Sequence, residues 1–155
     1  MRRRLGDIRF DSFFQYGINF AYTVGTEALT GTIAIQSDAD FLCVETVYDV
    51  ALTAAPAVAA VNIGTVPQLA AGGYLVQLTD GGSQRLLSNI PVPASTIFGT
   101  AQRPFVWPMT HLFRANSLIG VQSTGISALA VALTTVRYVF CGFKVPKGGL
   151  EELGL

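Results

Sequence analysis

Apolar and polar side chains alternate along much of this chain, and this period of two is the feature that most restricts its fold. In residues 41–52 the even positions from Leu42 onward are mostly apolar or β-branched, whereas Glu45 and Asp49 occupy odd positions. Because successive side chains of a β-strand point to opposite faces, the pattern predicts a half-buried strand with its even positions inside. The same alternation predicts strands over residues 32–36, 74–79, 118–123, 126–134 and 136–145.

Turn signals at regular spacing separate these predicted strands. Asp80, Gly81, Gly82 and Ser83 form a turn sequence between two apolar runs, which predicts a hairpin. Short strands at spacings of about ten residues, with no amphipathic helix between them, favour an all-β chain folded as a single antiparallel β-sandwich. About eight strands favour a jelly-roll arrangement. An immunoglobulin-like sandwich is the alternative, although the chain lacks the Cys…Trp…Cys spacing of that fold.

The regular pattern is confined to the middle of the chain. Residues 1–26 are rich in aromatic side chains but have little periodicity, and we predict an extended N-terminal arm that packs on a neighbouring subunit. Residues 27–146 then form the jelly-roll-like sandwich, which includes an Ala-, Pro- and Gly-rich loop over residues 53–72. Residues 147–155 are predicted to form a C-terminal tail.

The composition leaves the chain with few ionic groups for its surface. Hydrophobic residues make up 50% of the chain and charged residues only 13%, with a formal net charge of zero. This excludes intrinsic disorder and argues against a nucleic-acid-binding domain, which carries a basic footprint. No run reaches the roughly 18 apolar residues that a membrane span needs. We therefore expect much of the surface to be buried against other copies, as a dimer or trimer, or against other proteins.

Residues that carry catalysis or bind metals are scarce. His111 is the single histidine, and no nucleophile elbow accompanies it, so we predict no catalytic residues and no small-molecule substrate. One histidine with two distant cysteines, Cys43 and Cys141, does not provide the four ligands of a structural zinc site. We predict that both cysteines are buried free thiols of a reduced compartment. No cofactor or metal is expected.

Two acidic residues and one glycine-rich turn have a structural and a functional interpretation. Asp38 and Asp40 alternate on an extended segment, so they could share a cation, but the spacing of a calcium loop is missing. A polar turn in which the aspartates accept hydrogen bonds from backbone amides is the favoured interpretation. Gly81 and Gly82 are not followed by the lysine of a phosphate-binding loop, so they indicate a hairpin turn.

Candidate contact residues fall into two groups. In the N-terminal arm a short basic run precedes aromatic residues, and we expect these side chains to dock on another subunit. The group comprises Arg2, Arg3, Arg4, Phe10, Phe13, Phe14 and Tyr16. The second group, Phe105 and Trp107, lies in a proline-rich segment with Phe98 and Phe113. These side chains either anchor an interface or ligand groove or close one end of the core, and the sequence leaves both interpretations open.

Several strand-and-turn segments together cover most of residues 31–146. They are IAIQSDADF (33–41), RLLSNIPVP (85–93), FGT (98–100), ANSLIGV (115–121) and VFCGFKVP (139–146). In these segments the chain resembles small structural proteins encoded in tailed-bacteriophage genomes. The resemblance carries no catalytic residues.

The resemblance implies a virion component that is assembled in the host cytoplasm. We expect a head decoration or cement protein that binds other virion proteins, such as the major capsid protein, and stabilises the head through contacts between subunits. A neck, collar or tail accessory protein is the alternative within this class. A β-sandwich module that binds receptors or carbohydrates is the alternative outside it.

Overall fold

The computed structural model describes residues 12–22, 28–52, 73–126 and 134–146, and these residues form almost only β-strands. A single turn of 3-10 helix, Ala94–Thr96, follows the sixth strand. The prediction of an all-β chain is therefore confirmed. The strands are β1 (Ser12–Tyr22), β2 (Ala28–Ala34), β3 (Ala39–Leu52), β4 (Tyr74–Asp80), β5 (Arg85–Leu86), β6 (Val92–Pro93), β7 (Phe105–Phe113), β8 (Leu118–Gly125) and β9 (Thr134–Pro146).

The strands form two antiparallel sheets in the order of a jelly roll. The four-stranded sheet has the order β1-β9-β3-β7, and the five-stranded sheet has the order β2-β8-β4-β5, with β6 also paired to β4. The pairs β1–β9 and β3–β7 lie in one sheet, whereas β2–β8 and β4–β5 lie in the other. This order arises when a long two-stranded ribbon folds over itself. Each successive pair of strands along the ribbon then joins the opposite sheet from the pair before it. The predicted jelly-roll-like sandwich is confirmed.

The predicted hairpin at residues 80–83 is present and connects β4 to β5. Thr79 faces Leu86 and Asp80 faces Arg85 across this hairpin. Asp80 holds the turn, because its carboxylate accepts hydrogen bonds from the Gly82 amide at 2.9 Å and the Ser83 hydroxyl at 2.7 Å.

The first strand corrects the predicted domain boundary. The sequence predicts an arm outside the sandwich over residues 1–26, but Ser12–Tyr22 pairs with β9 along its whole length. Tyr16, Phe20 and Tyr22 are buried in the core. These aromatic residues share even positions, so the segment does have a period of two, which the adjacent Phe13 and Phe14 mask in the sequence. Residues 1–11 and 23–26 lie outside the described residues.

A bulge in β3 corrects the predicted orientation of that strand. The register against both β9 and β7 shifts between Cys43 and Glu45, so Val44 is an additional residue in β3. Before the bulge the odd positions Phe41 and Cys43 are fully buried, and after it the even positions Thr46 and Tyr48 are buried. A bulge moves all following side chains to the other face of the strand, which is why a single alternation over residues 41–52 is wrong.

The core lies between the two sheets and combines stacked aromatic rings with a buried hydroxyl cluster. Phe98 contacts the rings of Tyr138 and Phe140 at centroid distances of 4.8 and 5.6 Å. The Tyr22 hydroxyl donates a hydrogen bond to Ser123 Oγ at 2.6 Å, and Ser123 Oγ lies 2.8 Å from the Tyr138 hydroxyl. Ser123 belongs to β8 and the two tyrosines to β1 and β9, so these bonds connect the two sheets.

Three further predictions fall on parts of the chain that the structure does not describe. They are the strand over residues 126–134, except for its ends, the loop over residues 53–72, and the tail over residues 147–155.

Candidate interaction surface

An apolar row crosses the outer face of the four-stranded sheet. Phe13 of β1 faces Phe143 of β9, Phe143 faces Leu42 of β3, and Leu42 faces Leu112 of β7. Directly opposite residues of antiparallel strands share one face of a sheet. The neighbours Phe41 and Phe113 are fully buried on the inner face, so Leu42 and Leu112 point outward. We call Phe13, Phe143, Leu42 and Leu112 the apolar row.

The apolar row is open to solvent. Phe13 is 53% exposed and Leu42, Leu112 and Phe143 are partly exposed. The rings of Phe13 and Phe143 contact each other edge to face at a centroid distance of 5.9 Å. Because the row includes residues from four hydrogen-bonded strands, its shape is fixed by the sheet rather than by a loop.

Strand β7 has two further exposed apolar side chains, Val106 and Met109, of which Val106 lies beside the row. Between its two paired stretches β7 bulges away from β3 over residues 107–110, since Cys43 faces His111 while Glu45 already faces Val106. Val106 is 65% exposed and Met109, on the bulge, is 83% exposed. Neither residue was predicted from the sequence. Pro108 was the available signal, because proline within a strand marks an edge or a bulge.

The proline-rich segment divides its aromatic residues between the core and the edge of the sheet. Phe98 and Phe113 are buried, so for these two residues the interpretation as part of the core is correct. Trp107 is partly buried against the core, and its indole N–H donates a hydrogen bond to Thr46 Oγ1 at 3.2 Å. Phe105 faces Thr46 at the edge of the sheet and is also partly buried.

The candidate residues of the N-terminal arm differ in their burial. Phe13 is exposed as an interface residue would be. Tyr16 lies in the core, where its hydroxyl accepts a hydrogen bond from the Gln36 amide at 3.1 Å, so it is not an exposed docking residue. Phe14 is half-buried beneath the Lys144 ammonium, which lies 4.5 Å from its ring centre. The remaining candidates, Arg2, Arg3, Arg4 and Phe10, lie outside the described residues.

The two aspartates before β3 have separate partners and form no shared site. Asp38 is exposed and accepts a hydrogen bond from Lys144 Nζ at 2.8 Å, which lowers the pKa of its carboxyl. Asp40 is buried and accepts a hydrogen bond from the Ala115 amide at 2.8 Å, while Arg114 lies 3.5 Å from its other oxygen. Within the described ranges, no group of three or more His, Cys, Asp or Glu residues could hold a metal ion.

His111 connects the two sheets through Asp80. Its Nε2 lies 3.2 Å from Asp80 Oδ2, and the same oxygen accepts the hydrogen bond from Ser83. Desolvation alone would raise the pKa of Asp80, but the bonds from Ser83, Gly82 and His111 together lower it. A catalytic triad requires the serine on the histidine, with the carboxylate behind it. Here Ser83 and His111 both bind the carboxylate, so the cluster stabilises a turn.

Both cysteines are free and buried, as predicted. Burial raises the pKa of the Cys43 thiol to about 12 and also raises the pKa of Cys141. Reactive cysteines have a lowered pKa and access to solvent, and neither thiol meets these conditions.

Comparisons with protein-family models, with curated proteins and with solved structures found no match for this chain. No helix in the described part of the chain has the length and hydrophobicity to cross a membrane.

Proposed function

We propose that this chain is a non-enzymatic structural component of a tailed-bacteriophage virion, most directly a head decoration or cement protein. In this proposal the apolar row contacts another virion protein, such as the major capsid protein, and the chain stabilises the head through such contacts. The observation that carries the proposal is the apolar row itself, with the exposed Phe13 at one end and Val106 beside it.

The row has the physical properties of a protein contact. Full burial of a large apolar side chain such as Phe13 contributes about 1.5–3 kcal/mol. The four side chains stand on paired strands, so little conformational entropy is lost when they are covered. Charged side chains are present on the same face, with Glu45 beside the row and Asp49 and Arg137 further along. An apolar centre with a polar border is the usual organisation of an interface.

The attribution to a phage virion rests on the resemblance of the sequence segments, since a sandwich fold is used for many functions. The low charge of the chain supports a protein whose surface is largely buried against other subunits. A neck, collar or tail position remains the alternative within the proposal. A carbohydrate-binding module is the alternative outside this class, but the Trp107 indole binds inward to Thr46 and so does not provide an aromatic platform for a sugar.

The test uses particles of the phage whose genome encodes this chain, prepared without it, and the purified chain added back. L42E/L112E places two charges in the apolar row and should reduce attachment at least tenfold. L86E/I90E is the matched control, because Leu86 and Ile90 are exposed on the other sheet and its connecting loop. Attachment that is unchanged by L42E/L112E, or reduced only by L86E/I90E, would show that the row is not the contact.

Position in the particle is a separate measurement. Electron microscopy of particles that carry a gold-labelled chain should show the label distributed over the head. Label confined to the neck or tail would replace the decoration role with the alternative, and no label on any particle would refute the virion proposal.

A further inference from the structure

The two long sides of the sandwich differ in how their strand edges are protected. On one side the edge strands are β1 and β2, which lie against each other, since a Cβ placed on Gly31 would be 2.5 Å from Ile18 Cδ1. We call this the open side. On the opposite side lie the edges of β7, β5 and β6, which we call the protected side.

The protected side has several of the features that prevent edge strands from pairing with other chains. Strand β7 contains Pro108 and the bulge over residues 107–110, and β5 and β6 have only two residues each. Arg85 and Pro93 add a charge and a second proline. Short strands, bulges, prolines and charges are the usual means by which proteins block such pairing.

The open side has none of these features. Strand β1 has 11 residues and β2 has seven, and neither contains a charged residue or a proline. The pairing of β1 with β9 is continuous from Ser12 to Tyr22 without a bulge. No second strand among the described residues pairs with the other edge of β1. A long, regular, uncharged edge of this kind is a template for another strand.

We propose that the edge of β1 pairs antiparallel with β1 of a second copy of this chain, around a two-fold axis at Gly17. Gly17 is the central residue of Ser12–Tyr22, so this register uses the whole strand. It places Gln15 opposite Asn19 of the second copy, and Phe13 opposite Ala21. All four side chains are exposed on the outer face. An antiparallel pair of this length forms about ten main-chain hydrogen bonds.

The partner is a second copy because the edge is self-complementary. A two-fold contact brings each residue of the strand against a residue of the same strand in the second copy, so a single charge in β1 would lie opposite an uncharged side chain. The strand has no charge. Within one chain Gln15 Nε2 donates a hydrogen bond to Cys141 Sγ at 3.4 Å, and Asn19 Oδ1 accepts one from Arg137 Nε at 2.9 Å. The other atoms of the two amides, Gln15 Oε1 and Asn19 Nδ2, are an acceptor and a donor, so they are complementary across the two-fold axis. The proposal does not depend on the virion role. The merged sheet would have eight strands and keep its outer face, including both apolar rows, available.

The first test is the mass of the full-length chain in solution, measured by sedimentation over a wide concentration range. We expect a dimer. Q15E/N19E sets glutamates opposite glutamates at the two-fold axis and should raise the dimer dissociation constant at least tenfold. Within one chain the change at Asn19 is tolerable, because Arg137 Nε already binds this side chain at 2.9 Å. Q102E/T110E adds the same charge on the protected side, where both residues are exposed, and should leave the dimer unchanged.

Charge reversal and hydrogen exchange complete the test. Mixing Q15E/N19E with Q15K/N19K should restore a dimer of one copy of each, because each glutamate then faces a lysine. Independently of any variant, alternate amides of residues 12–22 should exchange more slowly at high than at low concentration of the native chain. A chain that stays monomeric at millimolar concentration would overturn the proposal. So would a dimer that is weakened by Q102E/T110E but not by Q15E/N19E, or in which the β1 amides exchange at the same rate at all concentrations.

Discussion

Replacement of Ser123 by alanine tests whether the buried hydroxyl cluster connects the two sheets. Ser123 is fully buried in β8, and its hydroxyl binds the hydroxyls of Tyr22 and Tyr138 at 2.6 and 2.8 Å. Burial raises the pKa of Tyr138, so its hydroxyl is neutral throughout the physiological range. The substitution removes one oxygen atom and both hydrogen bonds, and it leaves the tyrosine hydroxyls where they are.

The expected loss follows from these two bonds. A buried hydrogen bond contributes about 1 kcal/mol net, and a buried polar group that loses its partner costs about 1–3 kcal/mol. We expect S123A to lower the free energy of unfolding by about 2–3 kcal/mol. Y138F removes only one bond and leaves Ser123 bound to Tyr22, so we expect a loss of about 1 kcal/mol. The double variant S123A/Y138F should be no less stable than S123A. In S123A the Tyr138 hydroxyl has lost its hydrogen bond to Ser123, and Y138F removes that hydroxyl.

Urea denaturation of the three variants and the native chain measures these differences directly. S95A is the control, because Ser95 is exposed in the 3-10 turn and its hydroxyl does not connect the two sheets. We expect its change to stay within about 0.5 kcal/mol. A loss for S123A as small as that of S95A, or losses for S123A and Y138F that simply add, would refute the role of the cluster.

Three further predictions concern packing, pH and thiol chemistry. G142A should cost more than about 3 kcal/mol, because a Cβ at this position would lie 2.0 Å from the Leu42 carbonyl oxygen; a thermal melt within a few degrees of the native chain would contradict this. The pKa of Asp80 is lowered in the folded chain, so its carboxylate stabilises the fold above the unfolded pKa and this contribution disappears as the pH falls through the folded pKa. D80N should therefore flatten the dependence of urea stability on pH below about pH 5, and an unchanged slope would argue against it. With its pKa near 12, Cys43 should resist a chromogenic thiol reagent at pH 8 in the folded chain and react after unfolding, whereas rapid native reaction would show that it is accessible.

The strands over residues 41–52, 74–79, 118–123 and 136–145 could be predicted from the sequence because alternation is a local signal, whereas β1 and β7 were not predicted as strands. The alternation around Tyr74–Asp80 and the turn residues that follow it are contiguous in the chain. A strand pattern and a turn type together determine the β4–β5 hairpin. The pairs β1–β9, β2–β8 and β3–β7 join strands that are far apart in the chain, so local signals do not determine the strand order of the jelly roll.

The bulge in β3 could not be predicted from β3 alone. It depends on a residue almost 100 positions away, since Gly142 lets the backbone of Leu42 approach more closely than any side chain would permit. A glycine in a strand signals a bulge or a close approach, but the sequence does not say which strand will be its neighbour. The inverted face after Val44 follows from that pairing.

The apolar row was missed for the same reason. Phe13 and Phe143 are neighbours only because β1 and β9 pair in one particular register. A shift of that register by one residue would place Phe13 beside an inward-facing residue and no row would exist. The sequence predicts Phe13 as a contact residue, but as part of an arm and not of a sheet.

The shortage of charge in the composition is distributed unevenly over the folded chain, and this distribution connects the two proposals. It is concentrated on the open side, where β1 and β2 carry no charge, and on the apolar row. Phe13 belongs to both, because it is the end of the row and also a residue of the β1 edge. Substitution of Phe13 would therefore weaken both proposed contacts and could not separate them. Leu112 at the far end of the row and the pair Gln15 and Asn19 on the edge do separate them: if the row and the edge are distinct contacts, L42E/L112E should leave the dimer intact and Q15E/N19E should leave the row able to bind.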